Sequence, residues 1–252
     1  KDNEAIWFAN NKTIKFSTDT NFIKDRVKRT TSLGSYVPNV VNSSSNFYTY
    51  DFIEGDVFSE KVTGKKFEYL LSWLDVFWKP VDLNDIENDK FVTTCRDFYE
   101  HKTIDRIELY YDKFYNKDAG EIVNDNKLPP LLDVLDRLDW EWISDGWPTT
   151  FHGDLHFENI LINKTNDGLP FSLLDWRQNF GGRYDCGDIY YDLAKLYHGL
   201  IISHDFINQN FYHYSRELNT VYYDFHISGC NFLTVRFGIV SDNIINDIIK
   251  PI

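Results

Sequence analysis

Methionine, cysteine and positive charge are all scarce in this chain. No methionine occurs among its 252 residues, position 1 included, the pattern of a processed fragment or of a sequence with its methionines left out. The three cysteines, Cys95, Cys186 and Cys230, lie far apart with no Cys-x-x-Cys pair. That excludes a closed disulfide framework and points to a reducing, cytoplasmic setting. No run approaches 18 apolar residues, so no transmembrane helix and no membrane insertion are expected. Lys1-Asp2-Asn3-Glu4 has no apolar segment behind it and does not read as a secretory leader. Lys and Arg number 26 against 39 Asp and Glu, a net charge of −13. Duplex nucleic acid is therefore excluded as a partner, because phosphate binding needs clustered cations. Internal repeats and low-complexity tracts are also missing.

What remains is ordinary globular composition, 42% hydrophobic and 26% charged, with enough chain for one large domain or two unequal lobes. The charge is uneven. Residues 1–55 carry a net charge of +1 and residues 56–252 a net charge of −14. An acidic larger part steers cationic substrates, and equally it keeps a surface soluble.

Strand-like Ala5 to Ala9 and Lys12 to Phe16 flank Asn10-Asn11, a hairpin turn pair. Asp19 or Thr20 caps an expected helix to about Ser32, with Gly34 beyond its end. Its basic run Lys24 to Arg29 reads as a solvated face. Val37 to Val41 and Phe47 to Ile53 read as extended. After Gly55 the period changes: Phe67, Leu70, Leu71, Leu74, Phe77 and Trp78 recur at helical spacing. Phe91 to Phe114, Pro130 to Ile143, Ile189 to Ile202, much of 206–225 and the tail are also expected to be helical. Thr149 to His152, Ile160 to Asn163 and Phe171 to Leu174 are short β-type runs. The expectation is an α+β chain with a β-rich front at 1–55 and a larger, mainly helical part at 56–252, divided near Glu54-Gly55.

One segment carries chemistry: His152-Gly153-Asp154-Leu155-His156-Phe157-Glu158-Asn159, followed by Leu173-Leu174-Asp175-Trp176. Asp154, Asn159 and Asp175 each adjoin apolar, strand-like residues, which suits polar heads at the mouth of a β-hairpin. Carboxylate and amide oxygens of this kind are ligands for a hard cation such as Mg²⁺. A different reading takes His152-x-Asp154-x-His156 as part of a zinc site.

These motifs resemble the aminoglycoside phosphotransferase and choline kinase family, the small-molecule branch of the protein-kinase-like fold. Gly187-Asp188-Ile189-Tyr190-Tyr191-Asp192-Leu193-Ala194 resembles the family's next helix start. Tyr50 to Gly55 resembles its inter-lobe linker, whose backbone at Phe52 and Ile53 would receive adenine. The resemblance implies a two-lobed, ATP- and Mg²⁺-dependent phosphotransferase acting on a hydroxyl of a small molecule. Asp154 would be the catalytic base, and Asn159 and Asp175 the metal ligands. His152 and Asp192 would support the site. By the same analogy Lys15, with Lys12 as its rival, would neutralise the nucleotide phosphates. An amino alcohol such as choline, an amino sugar, or a neutral sugar of surface-polysaccharide metabolism would be the acceptor. At the front the chain departs from the family. It has no glycine-rich loop, and the helix after Lys15 has no glutamate, only Asp19 and Asp25. A nucleotide-binding scaffold regulating a partner is therefore the competing expectation. Arg177 is read either as an anion contact or as a surface salt bridge, and Trp176 and Tyr190 as candidates for a substrate pocket.

Overall fold

The computed structural model describes residues 3–114, 119–164, 168–201 and 207–225. It is a mixed structure, 44% helical and 26% strand, as the α+β reading expects. In chain order the first elements are β1 (Glu4–Ala9), β2 (Lys12–Ser17), α1 (Thr20–Leu33), β3 (Val40–Ser43), β4 (Phe47–Asp51), β5 (Gly55–Val57), α2 (Phe58–Lys61) and α3 (Gly64–Phe77). There follow α4 (Asp85–Arg96), a π-helical turn, α5 (Lys102–Phe114), β6 (Glu121–Val123), β7 (Asn126–Leu128), α6 (Leu131–Leu135) and α7 (Trp140–Ser144). The chain closes its described part with β8 (Pro148–Thr149), β9 (Ile160–Asn163), β10 (Phe171–Leu173), β11 (Gly187–Asp188), α8 (Ile189–Ile201), β12 (Tyr212–Glu217) and β13 (Thr220–Phe225).

Residues 3–84 and 147–201 make up one compact unit, and residues 85–146 and 207–225 another. Glu54-Gly55, where the sequence suggests a boundary, lies inside the first unit at the start of β5.

The first unit holds a four-stranded sheet of order β1-β2-β4-β3, a three-stranded sheet β10-β9-β5 and the pair β11-β8. Asn10 and Asn11 turn the β1-β2 hairpin at φ of 50° and 57°, the left-handed conformation that a two-residue turn demands and asparagine tolerates. Asp19 caps α1 by accepting the N–H groups of Asn21 and Phe22, and Gly34 ends it at φ 57°. On α3, Thr63 is the cap, and Phe67, Leu70, Leu71, Leu74 and Phe77 form one fully buried stripe. These residues join Phe157, Ile160, Leu173, Leu196 and others in a single apolar cluster. Removing one of its buried phenylalanines costs about 3–5 kcal/mol. Trp176 belongs to this cluster and is fully buried, so it is a core residue and not a pocket wall.

The second unit contains the sheet β12-β13-β6-β7. Here two expectations fail. Residues 212–225 form an antiparallel hairpin, Tyr212 opposite Phe225, and not a helix. Alternating, aromatic-rich side chains with a turn at Leu218 (φ 52°) favour a strand pair. The helix expected from Pro130 to Ile143 is broken into α6 and α7, because the Asp139 side chain accepts the Trp142 N–H and starts a new helix. The expected tail helix and Cys230 lie outside the described residues. No helix among the described residues is long and apolar enough to cross a membrane.

Candidate active site

Backbone bonds bring the three sequence-distant polar residues together. After Asp154 the chain makes a 3-10 turn at Phe157–Asn159 and enters β9, which pairs antiparallel with β10. At the mouth of that hairpin the Leu174 N–H donates to the Asn159 carbonyl at 2.7 Å, setting Asn159 beside Asp175. The Asn159 amide Nδ2 donates to the Asp154 carbonyl at 2.8 Å. Asp175 itself sits at φ 56°, a left-handed position that turns the chain out of β10. Asp154, Asn159, Asp175 and Lys15 all line one cavity of about 370 Å³ in the first unit, together with Arg26, Tyr48 and His156.

Lys15, on β2, reaches Asp175 Oδ1 at 2.5 Å. Its rival Lys12 instead pairs with the exposed Asp51 at the turn end of the sheet. Arg26 of α1 also meets Asp175 Oδ1, at 3.2 Å. Burial opposes ionisation of Asp175, but the Lys15 and Arg26 charges outweigh it and hold the carboxyl below its ordinary range. Asp154 is likewise held low. Burial works against its ionisation, and the contacts from His156 and Lys195 overcome that. Its Oδ1 takes Lys195 Nζ at 2.9 Å, and its Oδ2 lies 3.5 Å from His156 Nε2.

Asp192 and His152 brace the segment around Asp154. The two oxygens of Asp192 accept the N–H groups of His152 and Gly153 at 2.6 and 2.7 Å, and Trp78 Nε1–H adds a third bond at 3.1 Å. Asp188 does similar work next door, accepting the N–H groups of Trp147 and Tyr190. His152 is fully buried, and its Nδ1 accepts the Asp154 N–H at 3.2 Å. Gly153 has φ +87°, and a Cβ there would stand 2.6 Å from the Arg177 Cβ and 2.8 Å from the Phe151 ring. Arg177 itself donates from Nε to the Asn179 carbonyl, and its N–H donates to the His152 carbonyl.

Three cations escaped the sequence reading. The run Lys24 to Arg29 is a solvated face only in part: Lys24 and Lys28 are exposed, Arg26 is half-buried and Arg29 is 1% exposed. Its guanidinium donates to the carbonyls of Phe151, His152 and Arg177. A signal existed, since Arg26 and Arg29 stand three and six residues after the buried Ile23 on the same helix. Lys195 stands three residues after Asp192 on α8. Asp25 and Asp19, the carboxylates nearest Lys15 in sequence, serve elsewhere: Asp25 accepts from Tyr184, and Asp19 caps α1. Phe52 and Ile53 are not among the cavity-lining residues, and the Phe52 N–H is committed to the Asn11 carbonyl. Among the described residues no group of three or more His, Cys, Asp and Glu side chains could hold a metal ion, so the zinc reading fails. The donor set does suit Mg²⁺. With Asn159 Nδ2 fixed on the Asp154 carbonyl, the amide oxygen is the group left for a metal, and Asn159 and Asp175 line the same cavity with hard oxygen donors.

The two histidines bend stability with pH in opposite directions. Contacts with Asp154 and then Glu158 raise His156 to about 9. A raised pKa stabilises the fold below the unfolded value near 6.5, and that gain is lost as pH rises through about 9, a change of up to about 3 kcal/mol. Burial, then Arg29, lowers His152 to about 3, so its contribution is lost as pH falls below the unfolded value. Urea midpoints are expected to peak between these limits, and His156→Gln should flatten the alkaline side. An unchanged alkaline slope in that variant would refute the assignment.

No curated protein sequence matches the chain. One solved structure that it resembles is described as the GDP and kanamycin complex of APH(2")-IIia. The likeness has a TM-score of 0.36 and 15% identity over 75% of this chain and 67% of that one, too distant to bear on fold or function. Residues 95–219 match the model of the APH phosphotransferase enzyme family, and this stretch includes the whole segment from His152 to Ala194 on which the sequence resemblance rests.

Proposed function

We propose that the protein transfers the terminal phosphoryl group of ATP to a hydroxyl of a small molecule, with Mg²⁺. The observation that carries this reading is the convergence of Asp154, Asn159, Asp175 and Lys15 on one cavity, joined by direct hydrogen bonds. Asp154 is the base. Lys195 holds its Oδ1, so Oδ2 is the oxygen assigned to take the proton of the acceptor hydroxyl, giving up its longer contacts with Asn159 Nδ2 at 3.4 Å and His156 Nε2 at 3.5 Å. Asn159 and Asp175 are the metal ligands, and Mg²⁺ held there would offset the charge of the phosphates. Lys15 supplies a fixed cation to the same phosphates. The Phe52-Ile53 linker is the candidate for the adenine end, outside the cavity lining and through groups other than the Phe52 N–H, which Asn11 holds. Phosphoryl transfer asks for little covalent work from the protein, so positioning and electrostatics supply most of the acceleration.

The acceptor is an amino alcohol such as choline or a sugar or amino sugar, including those of surface polysaccharides, and the setting is cytoplasmic. The strongly acidic chain, at −13, supports an acceptor that carries a positive charge. Asp175→Ala is expected to abolish Mg²⁺-dependent ATP binding in calorimetry, and unchanged affinity would overturn the metal assignment. A two-residue turn in place of a glycine-rich loop favours a second reading, a nucleotide-binding scaffold. Production of ADP over a panel of hydroxyl acceptors separates the two, since a scaffold binds nucleotide without turnover.

A further inference from the structure

Arg26 is placed to do more than neutralise a carboxylate. Its guanidinium lies over the Phe22 ring, 4.4 Å from the centroid, and lines the cavity. Nη1 donates to Tyr48 Oη and to Asp175 Oδ1, both at 3.2 Å, and Nη2 to the Asp175 carbonyl at 3.4 Å. Its Nε is buried with no hydrogen-bond partner among the described residues. A guanidinium offers five donors in one plane, and a buried donor without an acceptor is unfavourable. Asp175 Oδ1 already holds Lys15 at 2.5 Å. One carboxylate therefore faces two largely buried cations. The other carboxylates lining the cavity are Glu4 and Asp154, and Asp154 is paired with Lys195. A divalent ion on Asp175 would add positive charge beside Lys15 and Arg26, and a triphosphate is the group that matches it. The planar fork of arginine suits two non-bridging oxygens of one phosphate better than a single carboxylate oxygen. Arg29, one turn further along, cannot share this task, because its donors serve three backbone carbonyls.

We infer that Arg26 is a phosphate ligand of the bound nucleotide, exchanging its Asp175 contact for phosphate oxygens when the triphosphate enters. This rests on reading the cavity as the nucleotide site. The test is calorimetric titration of wild type, Arg26→Gln and Arg26→Lys with ATP·Mg²⁺, with inorganic tripolyphosphate and with adenosine. For Arg26→Gln, affinity for ATP·Mg²⁺ and for tripolyphosphate is expected to fall at least tenfold while adenosine affinity stays within twofold. Arg26→Lys, which keeps the charge but not the fork, is expected to fall between the two. If Arg26→Gln does not fold, the ratio of ATP·Mg²⁺ to adenosine affinity in Arg26→Lys decides: a drop of threefold or more supports the inference, and no change overturns it. Equal losses for adenosine and ATP·Mg²⁺ would assign Arg26 a purely structural role and also overturn it. Wild-type protein that binds none of the three probes would instead overturn the nucleotide reading itself, a distinct outcome.

Discussion

Asp154→Ala is expected to lower turnover by about 10²–10⁴-fold, the usual cost of removing a general base. Fold and ATP·Mg²⁺ affinity should stay near wild type, because Asp154 is not one of the ligands assigned to the metal, and its backbone bonds do not depend on the side chain. The carbonyl still accepts Asn159 Nδ2, and the N–H still meets His152. Lys195 and His156 both lose a partner in this variant; Lys195 is 31% exposed and can turn to water, and His156 keeps Glu158, so a modest loss of stability with the fold retained is expected. Circular dichroism and calorimetry would establish the intact state, and release of ADP with the best acceptor of a panel would measure the loss. Wild-type turnover in Asp154→Ala would remove the base assignment, and with it the mechanism.

For Asp192→Ala the expected loss is of stability. Asp192 is fully buried, and burial raises its pKa to about 6, so it is ionised at neutral pH. Its carboxylate accepts two backbone N–H groups and one indole N–H, with Arg29 as the nearby cation. Hydrogen bonds to a charged acceptor contribute about 1.5–3 kcal/mol each, and alanine would leave all three donors buried and unanswered. The expected penalty is at least about 4 kcal/mol, a large part of the roughly 5–15 kcal/mol that holds a domain folded. Asp192→Asn keeps one acceptor oxygen but turns an amide toward a backbone N–H, and it should lose an intermediate amount. Urea unfolding of the three proteins checks the order. A loss under about 1 kcal/mol in Asp192→Ala would show that water or another acceptor replaces the carboxylate.

The segment from His152 to Asp175 was legible because its information is local. Polar residues follow short apolar runs, and the hairpin of β9 and β10 closes over a few residues. Lys15 could be chosen over Lys12 only by analogy. What separates them physically is register: Lys15 lies opposite Tyr48 in mid-sheet, and Lys12 lies opposite Asp51 at its end. Arg26 and Arg29 were hidden by their charge. Helical spacing from Ile23 placed both on the inward face, but a basic run invites a solvent-facing reading unless carbonyls and a carboxylate wait for it across 120 or more residues. The compact units were illegible because residues 3–84 and 147–201 belong to one unit although residues 85–146 separate them along the chain. At 212–225 the error was one of period. Tyr212, Tyr214 and Arg216 alternate, and that alternation outweighs the helical reading.

The Arg29 clamp has a mechanical consequence. One guanidinium on α1 joins the carbonyls of residues 151, 152 and 177, on either side of the reacting aspartates. Any pivot of that helix would pull the Asp154 backbone along or take this donor from the carbonyls of Phe151 and Arg177, while the His152 carbonyl keeps the Arg177 N–H. An outward swing of α1 that leaves the Asp154 segment in place is thereby opposed, because the clamp ties the two together.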